Sequence, residues 1–165
     1  MDSWNASWIG GLTLIGITIA MHAIGLVFLA RVLQIFRDVI MPYRFRRRAN
    51  AWVAVMLVGL SGAALAMLHA AEAAVWAIAY MLVGAMENPS DAILYSIDSM
   101  TTRGASGLQL QQQWRLMGAL ESADGMLLFG ISTAFLFAIM QHVWPVVLAQ
   151  TPKDVQPKPS RQDRR

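Results

Sequence analysis

Apolar positions in this chain come in long uninterrupted blocks, not in short periods. Residues 3–30, 49–71 and 125–152 contain no Asp, Glu, Lys or Arg. Each block exceeds the roughly 20 residues that a helix needs to cross a bilayer. The pattern therefore predicts three transmembrane helices, at about residues 8–38, 50–86 and 114–147. The segment between the second and third has mixed polarity and is too short to cross. Asn88-Pro89-Ser90-Asp91 opens it with a strong helix start, because proline fits the first turn or the position just before it and the nearby Ser and Asp cap well. A helix over residues 90–101 is expected from there, roughly 16 Å long or half a bilayer. A filter-like, glycine-containing turn at 102–107 comes next, and residues 107–113 climb back to the surface. A half-span helix ending in such a turn reads as re-entrant, which is tolerated at membrane depth only when packed in protein or facing water. A short interfacial helix with a surface loop is the plainer alternative.

Composition supports the membrane reading. Of 165 residues, 56% are hydrophobic and 14% charged, and the mean hydropathy is +0.47. The first apolar block lacks a basic segment ahead of it and exceeds the apolar core of a secretory signal, so it reads as a retained helix. The absence of cysteine excludes disulfides and thiolate metal sites.

Charge placement adds topology. Arg31 is the first basic residue, six Lys or Arg fall between Arg31 and Arg48, and five lie in the tail after residue 150. The positive-inside rule puts both clusters in the cytoplasm and the N-terminus outside, consistent with three crossings. The expected location is a bacterial inner membrane. The high pI, near 9.8, is explained by topology and anionic lipid, with no nucleic acid as partner. Glu72, Glu87, Asp91, Asp98, Glu121 and Asp124 fall toward the outer half. They fit either a vestibule attractive to cations or ordinary solvated charge. Trp4, Trp8, Trp76 and Tyr80 are expected as outer interface anchors and Trp52 as an inner one.

Four units result: an extra outer helix at 1–40, a basic cytoplasmic turn at 41–50, a pore module at 51–147 and a disordered tail at 148–165. Within the module, the order of span, short helix, Thr101-Thr102-Arg103-Gly104-Ala105-Ser106-Gly107, span resembles the two-helix pore of the potassium channel family. That family's filter reads Thr-Thr-Val-Gly-Tyr-Gly-Asp. Thr101, Thr102 and Gly104 match; Arg103, Ala105, Ser106 and Gly107 depart from it. Leu120-Glu121-Ser122-Ala123-Asp124-Gly125 resembles the Leu-Glu-x-x-x-Gly pattern of the family's inner helix, which makes Gly125 the gating hinge, with Gly130 as rival. The resemblance implies a homotetramer, a permeant ion (K⁺ or another monovalent cation, an anion being the alternative), lipid contact and no cofactor.

Arg103 decides the chemistry. Four copies near one axis, ~8 Å apart at an effective dielectric constant near 20, repel by ~2 kcal/mol per pair. The side chains either ring the pore, favouring anions or blocking it, or turn outward to pair with Asp98, Glu121 or Asp124. Ser106 should be strained where the family has glycine, and Ala105 lacks the tyrosine's packing. A cation channel with altered or lost K⁺ selectivity is the leading expectation. An anion-conducting or non-conducting relative plugged by Arg103 is the second. A membrane metal-binding protein is the third, because His69-x-x-Glu72 and Glu121-x-x-Asp124 each pair ligands on one helix face; a polar cluster seating the short helix is the plainer reading of both. His22 is expected to hydrogen-bond a neighbouring helix, and His142 to lie at the inner interface. No nucleophile elbow, P-loop or dinucleotide fingerprint is present, so no enzyme is expected.

Overall fold

A computed structural model describes residues 3–36 and 51–148. The basic turn at 41–50 and the tail beyond 148 lie outside the described residues. The described chain is helical, with no strand. Helix α1 spans Ser3–Ile35, α2 Ala51–Leu82, α3 Pro89–Met100 and α4 Arg115–Leu148, the last preceded by a 3₁₀ turn at Gln112–Trp114. Helices α1, α2 and α4 are long and apolar enough to cross a membrane. At 1.5 Å per residue, the 33 residues of α1 reach about 50 Å, so it tilts or projects beyond a hydrocarbon core of about 30 Å.

The packing is inside out. The buried residues of α1 are Ser7, Gly11, Thr18 and His22, all small or polar, while Ile9, Leu12, Ile24, Val27 and Phe28 face outward. Only 11% of the most apolar window of α1 and of α2, and 22% of that of α4, is covered by protein. Lipid tails are as apolar as leucine, so helices in a membrane join through close contacts and hydrogen bonds instead. Gly25 shows the close contact: a Cβ there would come within 2.7 Å of the Leu68 side chain. Hydroxyls on the outer faces bond back to their own helix, as Thr13 does to the Ile9 carbonyl at 2.7 Å and Thr133 to Phe129 at 2.8 Å. Each hydroxyl proton thus has a partner where lipid offers none.

Helix α1 packs on α4 and α2, and α3 lies against α2 and α4. The Asn88 side chain caps α3 by accepting from the Ser90 amide at 2.8 Å, with Pro89 in the first turn. Helix α2 stops sooner than its apolar run suggests. Gly84 takes a left-handed φ of 68°, and the Ala85 amide donates to the Tyr80 carbonyl at 2.8 Å. This is the glycine-terminated reversal of a Schellman cap, and it turns the chain toward α3.

Trp76 and Tyr80 are fully buried, so they are not the interface anchors that an aromatic near a helix end suggests. Their polar atoms meet carboxylates on α4, which draws both rings inward. Trp4 and Trp52, by contrast, are 61% and 77% exposed.

Candidate functional site

The turn after α3 is built as a second Schellman cap. The Arg103 amide donates to the Asp98 carbonyl at 3.0 Å and the Thr102 amide to the Ser99 carbonyl at 2.9 Å. The left-handed position, normally glycine, is Thr102 with φ 54°. A β-branched residue there is strained by roughly 1–2 kcal/mol. Gly104 and Gly107 take φ of 61° and 72° without that penalty. Ser106 is not among the left-handed residues, so the strain expected at Ser106 falls on Thr102. The Thr101 hydroxyl returns to the Ile97 carbonyl at 2.7 Å.

Asp98 organises the rest of the turn. Its carboxylate accepts from the Ser106 amide at 2.9 Å and the Ala105 amide at 3.3 Å. The Ser106 contacts, ahead of Ala105 and Arg103, hold the Asp98 carboxyl below the usual aspartate range. The cap geometry brings the side chains of residues 98 and 103 together. Arg103 Nε lies 3.9 Å from Asp98 Oδ1, and the arginine side chain is 68% exposed. Residues 101–105 and 107 are exposed and Ser106 half-buried.

A second polar region lies inside the helices. Glu121 is fully buried and accepts from the Tyr80 hydroxyl at 2.6 Å and from the Ser96 hydroxyl, which also reaches the Ala73 carbonyl at 2.8 Å. This joins α2, α3 and α4. Asp124, also fully buried, accepts from Thr18 at 2.6 Å and from the Trp76 indole at 3.1 Å, joining α1, α2 and α4. Ser99 reaches the Gly118 carbonyl at 2.9 Å and the Ser122 hydroxyl at 3.0 Å. Deeper, His22 Nδ1 meets Glu72 Oε1 at 2.7 Å and His69 Nδ1 meets Glu72 Oε2 at 3.0 Å. Ser132 Oγ lies 3.1 Å from His22 Nε2 and 3.0 Å from His69 Nε2.

These placements redistribute the sequence expectations. Of the three acids offered to Arg103, only Asp98 is beside it; Glu121 and Asp124 are committed elsewhere. Glu72, Glu121 and Asp124 form neither a vestibule nor a solvated fringe, being 0% exposed. Glu121 and Asp124 lie on one face of α4 yet bind different partners and share no site. Gly125 has a packing duty, since a Cβ there would sit 2.8 Å from the Met100 Cα and 2.9 Å from its carbonyl carbon. Gly130 faces open space. His142 is exposed and bonded to the Ala138 carbonyl.

Thr18, Ser96 and Ser132 carry no recognisable motif and escape a sequence reading. A faint signal exists in spacing. His69, Glu72, Trp76 and Tyr80 recur at three or four residues on α2, and Glu121, Asp124 and Ser132 share a face of α4 at spacings of three and eight. In an apolar helix, such polar recurrence marks the protein-facing side. Comparison of the chain with family models, curated proteins and solved structures finds no match.

Proposed function

We propose that the chain is one subunit of a tetrameric pore-loop ion channel of the potassium-channel type, conducting monovalent cations with altered or lost K⁺ selectivity. One observation carries the reading. A half-span helix capped at Asn88 is wedged against two apolar spans and ends in an Asp98-held turn whose Thr-Thr-x-Gly residues are left uncovered by the chain's own helices. A solitary protein has little reason to strain Thr102 and leave this turn bare. Four copies around an axis give it neighbours. Inverted polarity on α3 supports the same view: Ser96 and Asp98 are buried while Leu94 and Ile97 are 47% and 46% exposed. In this reading the turn faces the outside, the basic segments are cytoplasmic, and Arg103 stays near Asp98 at the rim of the conduction path.

A second reading has its own support. The Arg103–Asp98 contact of 3.9 Å is at the limit of an ion pair, and the guanidinium is mostly exposed. Four such side chains turned inward make an anion-selective or plugged pore. Liposome flux separates the readings. Under a K⁺ gradient the purified chain should pass cations, and Arg103→Val should change conductance or selectivity. Chloride flux abolished by Arg103→Val favours the second reading. No flux of either ion from wild type or variant rejects conduction.

A further inference from the structure

We infer that His22, His69 and Glu72 form an intramembrane binding site for a divalent transition metal of the zinc class, oriented by Ser132. The inference is independent of ion conduction. It starts from a proton count. Four close contacts link the four side chains in a ring: each histidine meets Glu72 through Nδ1 and Ser132 through Nε2. Two neutral imidazoles and one hydroxyl supply three protons for four contacts. The deficit falls at one place. His69 Nδ1 and Glu72 Oε2 are 3.0 Å apart, yet both are buried atoms without a hydrogen-bond partner. With one histidine protonated the count closes as an ion pair; with both neutral, two lone pairs face each other there, and a cation would satisfy both.

Ser132 explains how a metal fits. Its oxygen can accept from both Nε2–H groups, which frees both Nδ1 lone pairs to face the Glu72 carboxylate. Outer-shell partners of this kind fix the tautomer of a metal-bound histidine. Stacking on Phe129, with ring centroids 4.2 Å apart, further fixes the His69 ring. The ligand atoms of the three residues lie within 4.8 Å of one another, a spread that zinc, with bonds of about 2.0–2.2 Å, closes by small side-chain adjustments. Two imidazoles and one carboxylate are a zinc-type donor set, whereas Mg²⁺ and Ca²⁺ prefer oxygen alone. The site would staple α1 to α2.

The test uses the full tag-free chain in detergent, stripped with chelator and then dialysed against Zn²⁺ alone. One zinc per chain and a raised Tm are expected. Glu72→Gln and His69→Ala should each weaken binding more than about 100-fold, and Ser132→Ala about 10- to 100-fold, as loss of an outer-shell partner does. His142→Ala should bind normally. Failure of wild type to retain zinc, or retention unchanged in Glu72→Gln, overturns the site, as does a stabilisation that follows pH alone. Should a variant not fold, Co²⁺ on the wild-type chain decides: a low-coordinate visible spectrum supports the site, and the weak spectrum of hydrated cobalt overturns it.

Discussion

The turn at 101–107 and the layer around Glu72, Glu121 and Asp124 are both polar regions in an apolar chain, but their contacts are of opposite kinds. The turn is exposed, is held mainly by Asp98 and contains a strained threonine. The carboxylates of the layer are fully buried, and each ties at least two helices together. Lipid gives polar groups no partner, so those inside the protein must satisfy one another. The layer therefore fixes how the helices are rotated and joined. The turn contributes little to that assembly, and Arg103 within it stays mostly exposed.

The largest test of this division is Glu121→Ala. Removing the acceptor of a buried tyrosine hydroxyl and opening a cavity should cost about 2–4 kcal/mol in detergent thermal unfolding. Glu121→Gln, which keeps one acceptor oxygen, should cost less. Gly125→Ala comes next, at about 1–3 kcal/mol, because its Cβ pushes against the Met100 backbone. Unchanged stability with altered gating would instead make Gly125 a hinge and break the contrast. Thr102→Gly should stabilise by up to about 1 kcal/mol by removing the left-handed strain; a loss would show that the threonine side chain holds the turn.

Asp98 gives a smaller and local effect with a defined sign. Its carboxyl titrates below the usual aspartate value in the folded state. Its hold on the turn is therefore complete above the usual value and is lost as pH falls through the lowered one. Hydrogen-exchange protection of the Ala105 and Ser106 amides should persist at about pH 5 and fall only below about pH 4. Protection lost near pH 6 would contradict the assignment. Arg103→Val should move unfolding least, within about 0.5 kcal/mol, even where it changes ion flux. A destabilisation as large as that of Glu121→Ala would erase the distinction between the two regions.

Much of the fold is legible in the sequence. Three charge-free blocks correspond to α1, α2 and α4, and Asn88-Pro89-Ser90-Asp91 locates the start of α3 within a residue. The apolar run points to an end of α2 near residue 86, but the helix stops at Leu82, because the Gly84 cap ends it inside that run. The site is less legible. Residues 101–107 stand out because a Thr-Thr-Arg-Gly turn is conspicuous among apolar helices. Thr18, Ser96 and Ser132 do not, because an isolated hydroxyl in an apolar helix equally suits a back-bond to its own turn.

Sequence alone determined the three helices long and apolar enough to span and the half-length helix between the last two, since each depends on local composition and on distances along one chain. Tertiary structure decided the partners: Glu121 with Tyr80 and Ser96, Asp124 with Thr18 and Trp76, Glu72 with two histidines. The reason is rotational. A helix apolar on every side carries no stripe that says which face turns inward. Only the close packing of three helices sets those rotations, and with them which buried polar atoms meet.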